Sequence, residues 1–326
     1  MKGSYKVKVS RRRGTTFEFT VRRNITIVRG DSGTGKTTLY DMVADYTRLG
    51  DNSGVTVQCE RPCVALTDID WRNQLAGIAG SIVFIDEGME DLPTEDFARA
   101  VRDSDNYYVI FTRSELPCLP YSVNEIYRIK TSGKFHSLVP MYKELEGHRY
   151  SLSRAKANQD FDVLLTEDSK SGLQFFEARF NGEKLLCESS QGNSKILNWL
   201  CGHEDSSVFV LADGAAFGPY ADRVLKYQKE HPHEVTVCLP ESFEWLLLSS
   251  GIVKADGIEE ILANPENYVE SAKFGSWEQF FTSLLSDLTK DMPLSYSKKK
   301  RRIAKGYLAP ANADKVMALI AFRNVR

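Results

Sequence analysis

Polar and apolar residues alternate with a period of two across Tyr5-Lys6-Val7-Lys8-Val9 and again across Phe17-Glu18-Phe19-Thr20-Val21, the pattern of strands with one buried face. The stretch between them holds Arg11, Arg12, Arg13 and Gly14, so a β-hairpin is expected. Ile25-Thr26-Ile27-Val28 follows as a short buried strand, and from Leu39 to about Leu49 the spacing turns helical. Ser81-Ile82-Val83-Phe84-Ile85 and Tyr107-Tyr108-Val109-Ile110-Phe111 are continuous apolar runs, as expected of strands buried on both faces of a parallel sheet.

After Val139-Pro140 and a polar stretch over 144–160 the pattern restarts, which puts an expected boundary near residue 150. Strands are expected over 161–165, 184–187, 207–211 and 235–239, with helices over 170–180, 193–201 and 220–228 between them. Such alternation predicts a second α/β unit with a parallel sheet and crossover helices. Beyond Gly251 the chain reads as helical, at 258–262, 277–288 and 313–322. The expected organisation is therefore α/β over 1–150, α/β over 151–255 and a helical, basic segment over 256–326.

The junction between the third strand and the first helix carries the clearest chemistry. Gly30-Asp31-Ser32-Gly33-Thr34-Gly35-Lys36-Thr37-Thr38 is a P-loop pattern in its expected context of strand, glycine-rich loop and helix. Glycines let backbone N–H groups curl around phosphates, and the helix N-terminus adds its positive dipole end. Lys36 is expected to reach the β and γ phosphates of ATP, and the Thr37 hydroxyl to ligate Mg2+. The run 81–85 ends in Asp86-Glu87, as a Walker B strand does: Asp86 would hold the magnesium shell and Glu87 would orient or deprotonate the attacking water. Two acids capping an ordinary strand are the plain alternative.

The entering hairpin, the Phe84-Ile85-Asp86-Glu87 strand with Glu90-Asp91-Leu92-Pro93 after it, and the strand running into Thr112-Arg113-Ser114 resemble, in that order, the ABC-type ATPases of the overcoming-lysogenization-defect (OLD) nuclease group. The resemblance implies a switch histidine at the end of the last strand, where this chain has Arg113, a cation able to pair with phosphate oxygens or to sit in a structural salt bridge. The chain departs from the family in two further ways. The interval from Lys36 to Asp86 is too short for the usual helical subdomain, and no Leu-Ser-Gly-Gly signature occurs.

The second unit resembles a Toprim domain. Glu167 matches the first-strand glutamate, Gln191-Gly192-Asn193-Ser194 the small-residue turn, and Leu211-Ala212-Asp213-Gly214-Ala215 the two-aspartate motif, with Leu211 where the first aspartate belongs. The resemblance implies metal ligation by Glu167 and Asp213, with Glu241 or Asp168 replacing the lost ligand. His231 and His233 flank Pro232 in a helix-to-strand connection and read as a solvated turn.

The composition of the 326 residues, 42% apolar and 26% charged, is that of a folded chain without a membrane-length apolar run or a secretory leader, so a cytoplasmic location is expected. The six cysteines are scattered, and the spacing of Cys59 and Cys63 is not that of a zinc ribbon. Net charge is near neutral, yet the first 30 residues are strongly basic, and Lys298-Lys299-Lys300-Arg301-Arg302 forms a second basic run. Either run is a candidate for nucleic-acid phosphates or a solvated surface. Two functions remain open: an ATP-hydrolysing enzyme coupled to a nucleic-acid-processing domain in defence against phage or mobile DNA, as the resemblance implies, or an ATP-gated scaffold that oligomerises or holds a partner subunit.

Overall fold

The computed structural model describes all residues except 13, 68, 143–150, 153–159, 299–301, 321 and 323–326. Arg13, the boundary expected near 150, most of the polar stretch over 144–160 and the middle of the second basic run lie outside the described residues. Contacts divide the chain into two units, Met1–Tyr142 with Asn264–Ser276, and Lys143–Ala263 with Trp277–Arg326.

In the first unit the hairpin strands are β1 (Tyr5–Arg11) and β2 (Thr16–Val21), registered so that Val7 faces Phe19 and Val9 faces Phe17. They are followed by β3 (Ile25–Arg29), α1 (Lys36–Leu49), β4 (Val55–Gln58), β5 (Cys63–Leu66), α2 (Trp71–Ala76), β6 (Ile82–Ile85), α3 (Glu95–Arg102), β7 (Tyr107–Phe111), β8 (Ile126–Ser132) and β9 (Phe135–Pro140). All nine strands join one mixed sheet in the order β4-β1-β2-β9-β8-β3-β7-β6-β5. Neighbours from β8 to β5 are parallel. Every residue of β3, β6 and β7 is buried, which explains the unbroken apolar runs of β6 and β7 and the apolar Ile25, Ile27 and Val28 of β3.

Strands β4 and β5 end opposite edges of this sheet, yet the connection 59–62 spans at most ~18 Å. The sheet therefore curls, and α1 packs against β1, β4, β5 and β6. Leu39, Met42 and Val43, at i, i+3 and i+4, form the buried stripe of α1 and join Val7, Val9, Phe84 and Phe111 in one core. Each such side chain contributes roughly 1.5–3 kcal/mol by leaving water.

Residues 264–276 belong to this unit although they follow the whole of the second sheet in sequence. Asn24 Nδ2 donates to the Phe274 carbonyl at 2.9 Å, Ser271 Oγ donates to the Asp105 carbonyl at 2.9 Å, and Gly3 N donates to the Glu266 carbonyl at 2.6 Å.

The second unit contains β10 (Ser151–Leu152), β11 (Val163–Thr166), α4 (Ser171–Arg179), β12 (Leu186–Ser189), α5 (Ile196–Cys201), β13 (Val208–Leu211), α6 (Gly218–Glu230), β14 (Val235–Leu239), α7 (Phe243–Ser249), α8 (Ile258–Ala263), α9 (Trp277–Thr289) and α10 (Pro310–Leu319). Its sheet order is β10-β14-β13-β11-β12, antiparallel at β10 and parallel elsewhere. The chain is thus α/β with mixed sheets. Among the described residues no helix is long and apolar enough to cross a membrane.

Candidate functional site

Strand β3 delivers the chain to Gly30, and the loop then turns through Gly33 and Gly35, whose φ values of 80° and 98° lie in the left-handed region that favours glycine. Gly35 caps α1, its carbonyl accepting the Leu39 N–H at 3.0 Å. The Thr34 hydroxyl ties the loop by donating to the Asp31 carbonyl at 3.0 Å. The Lys36 ammonium folds back onto the loop, hydrogen-bonding the Gly30 carbonyl and, at 3.0 Å, that of Asp31. Asp31, Ser32, Thr37 and Thr38 are exposed.

Strand β7 lies between β3 and β6, and all three run parallel, so Gly30, Asp86 and Arg113 emerge at the same edge of the sheet. Asp86 Oδ2 accepts the Gly88 N–H at 3.3 Å, while Oδ1 is buried and has no hydrogen-bond partner among the described residues. Burial, and after it the Asp86 charge, push Tyr40 and Asp41 on α1 above their ordinary pKa values. Glu87 is gripped in bidentate fashion by Arg113, at 2.7 Å from Nη2 and 3.2 Å from Nε, and lies 3.7 Å from the Lys36 ammonium. Of the two expectations for Arg113, the structure records the salt bridge, and its partner is Glu87.

This donor set fits magnesium triphosphate: an ammonium, the N-terminus of a 14-residue helix, exposed Thr37 and a carboxylate oxygen with no partner among the described residues. Magnesium sites commonly use one or two carboxylates and complete their shell with phosphates and water, so a larger cluster of protein ligands is not required.

The carboxylates of the second unit gather around a pocket lined by Glu167, Asp168, Leu211, Asp213, Phe243, Glu244 and Lys298. Glu167 and Asp168 follow β11, and Asp213 follows β13. The turn 191–194 packs on Glu167: Gly192 N donates to the Glu167 carbonyl at 2.8 Å, and the Asn193 N–H reaches its carboxylate. Asp168 caps α4, accepting N–H groups of Gly172 at 3.1 Å and Leu173 at 3.2 Å. Asp213 Oδ1 accepts the Phe243 N–H at 3.0 Å where α7 begins. Glu241 is buried but does not line the pocket, and its carbonyl accepts the Ala215 N–H at 3.2 Å.

Two residues that the sequence did not flag as acid-site members complete the cluster. Lys298, read above as part of a basic run, lies 3.8 Å from Glu244 and hydrogen-bonds Glu278 on α9. Burial pushes Glu167 up to about 7, with the charges of Glu278 and Asp168 adding to it. Burial and then Glu278 and Glu167 raise Asp213 well above the usual carboxylate range. Burial works to lower the Lys298 pKa, but Glu244 and Glu278 outweigh it and hold it raised. No spacing rule links positions 244, 278 and 298, because a fold rather than a local motif brings them together.

These acids do not fit a two-metal site as they stand. Asp168 and Asp213 accept N–H groups at the start of α4 and α7, Glu244 and Glu278 face an ammonium, and Leu211 presents no ligand. Among the described residues no group of three or more His, Cys, Asp or Glu is arranged to hold a metal ion. His231 stacks on Tyr227 with ring centroids 4.0 Å apart, and its Nδ1 lies 2.9 Å from the Tyr227 carbonyl.

Compared with known proteins, the chain matches no family model, no curated protein and no solved structure.

Proposed function

We propose that the first unit binds ATP with Mg2+ and hydrolyses it. The observation that carries this reading is the meeting, at one sheet edge, of the glycine-rich loop opening α1 with a buried Asp86 oxygen that has no partner among the described residues. Loop N–H groups and the Lys36 ammonium bind the phosphates, which requires Lys36 to leave the carbonyls of Gly30 and Asp31. Thr37 and Asp86 are the residues to hold magnesium, which supplies charge neutralisation on the phosphates. Glu87, once released by Arg113, orients the attacking water.

The test is titration with a fluorescent ATP analogue, alongside phosphate release. Lys36→Ala is expected to weaken binding roughly tenfold or more, the loss of one charge-assisted contact set. Glu87→Gln is expected to keep binding and lose turnover. Unchanged binding in Lys36→Ala would sink the reading.

For the second unit the resemblance supports nucleic-acid processing in phage defence, whereas the Lys298 ion pairs favour the other reading, a degenerate Toprim-like unit that binds instead of cutting. ATP occupancy would then gate oligomerisation or capture of a partner subunit, with the basic segments available to nucleic acid. Plasmid cleavage by wild type but not by Asp213→Ala would overturn this second reading. Oligomer mass with and without ATP tests it directly.

A further inference from the structure

The four-residue connection from β4 to β5 is pinned on three sides. The Pro62 carbonyl accepts the Ile82 N–H at 2.8 Å, the Arg61 guanidinium lies over the Tyr5 ring 5.4 Å from its centroid, and Pro62 itself fixes a backbone angle. Cys59 and Cys63 flank this turn and both address one residue of it: Cys59 Sγ accepts the Arg61 N–H at 3.5 Å, and Cys63 Sγ donates to the Arg61 carbonyl at 3.8 Å. The two sulfurs thus converge on the backbone of a single residue, Arg61. Cys63 is buried in the core, and Cys59 is partly open to solvent. One accessible sulfur, one sheltered sulfur and a rigid turn between them are the arrangement of an attacking thiol with its resolving partner.

We propose that Cys59 and Cys63 form a reversible dithiol–disulfide couple that reacts with hydroperoxides, Cys59 attacking first and Cys63 resolving. The Cys59 thiolate sulfur bonds to one peroxide oxygen, the O–O bond breaks, and hydroxide leaves and takes up the proton that the thiol had lost. Cys63 sulfur then attacks the Cys59 sulfenic acid: the S–S bond forms, the S–O bond breaks, and water departs with the Cys63 proton. Two thiols are oxidised to one disulfide, and hydrogen peroxide is reduced to two waters. A dithiol reductant reverses the modification.

The electrostatics of the pair run the same way. The neighbouring Cys63, and with it the Arg61 and Glu60 N–H groups, outweighs burial and holds the Cys59 thiol down to about 6. The neighbouring Cys59, and then burial, push Cys63 far up. The thiolate thus resides on the reachable sulfur, where nucleophilic attack requires it. No nucleotide chemistry is involved, so this proposal stands or falls independently of the ATP reading.

The experiment exposes the native full-length protein to stoichiometric hydrogen peroxide, alkylates remaining thiols and measures the peptide containing residues 59–63 by mass spectrometry. The expected wild-type product is that peptide lacking two hydrogens and refractory to alkylation until dithiothreitol is added. Exposed Cys201 serves as the internal comparison and keeps its free thiol. In Cys63→Ser and Cys63→Ala the reaction is expected to stop at a Cys59 sulfenic acid, trapped by dimedone, and in Cys59→Ser Cys63 stays reduced. A wild-type peptide still carrying two free thiols when Cys201 has been oxidised overturns the proposal. So does the absence of dimedone adduct on Cys59 in both Cys63 variants, each first shown to be folded by circular dichroism.

Discussion

The Glu244 carboxylate is 2% exposed, accepts the Tyr296 hydroxyl at 2.7 Å and lies 3.8 Å from the Lys298 ammonium. Lys298→Met keeps the apolar stem and removes the cation, leaving a buried charge without its counter-ion. Such removals cost ~3–5 kcal/mol in full burial, and the partial exposure of Lys298 brings the expected loss nearer ~1–3 kcal/mol. Adding Glu244→Gln to that variant should recover part of the loss in urea unfolding, whereas strictly additive losses would deny the pairing. Glu167 gives a pH signature of definite sign. Its folded pKa of about 7 exceeds its ordinary value of 4.5, so the folded state holds the proton more tightly between those values. The stabilisation present below pH 4.5 is lost as pH rises through about 7, and thermal unfolding across that window should show a slope that Glu167→Gln reduces. Of the residues in these two clusters, Lys36, Asp86, Glu87, Glu167 and Asp213 were legible because each terminates a periodic apolar run or sits in a fixed-spacing motif. Lys298 and Glu278 were not, since their partners lie tens of positions away and no local pattern encodes the meeting.

Element by element, the buried strands β3, β6, β7 and β14 were readable because burial on both faces leaves short, mostly apolar runs, broken only by Thr26 and Arg29 in β3 and Thr236 in β14. Strands β4, β8 and β9 went unread for the opposite reason. Most of their positions are exposed or half-buried, Phe135 at 69% among them, and their pairing with β1, β3 and β2 is dictated by distant neighbours. Neither was the order β3-β7-β6 written in the chain, although it decides that Gly30, Asp86 and Arg113 meet at one edge. The turn after β13 illustrates an element fixed by one small residue. A Cβ on Gly214 would come within 2.7 Å of the Leu239 carbonyl and 3.0 Å of the Pro240 carbonyl, while Gly214 N donates to Pro240 at 2.6 Å. Both obstacles are backbone, so Gly214→Ala must part β13 from the end of β14 and is expected to lower stability by ~1–3 kcal/mol, measured by chemical denaturation. A change within ~0.5 kcal/mol would mean that the two strand ends are not tightly held.

At the scale of the whole molecule, the return of residues 264–276 to the first unit means that no single cut liberates it intact. A fragment ending at Tyr142 keeps every strand of the nine-stranded sheet but loses the carbonyl of Phe274 from Asn24 and the hydroxyl of Ser271 from Asp105. It should fold with a lower melting temperature than the same unit in the full chain, and a synthetic peptide of residues 264–276 supplied in trans should raise it. If the peptide changes nothing, the strap is dispensable. The second sheet, for its part, is an insertion: its polypeptide leaves the first unit at Tyr142 and is handed back at Asn264. It leaves again after Ser276, so the chain passes between the two units three times, and three covalent connections join them where a tandem arrangement would have one linker.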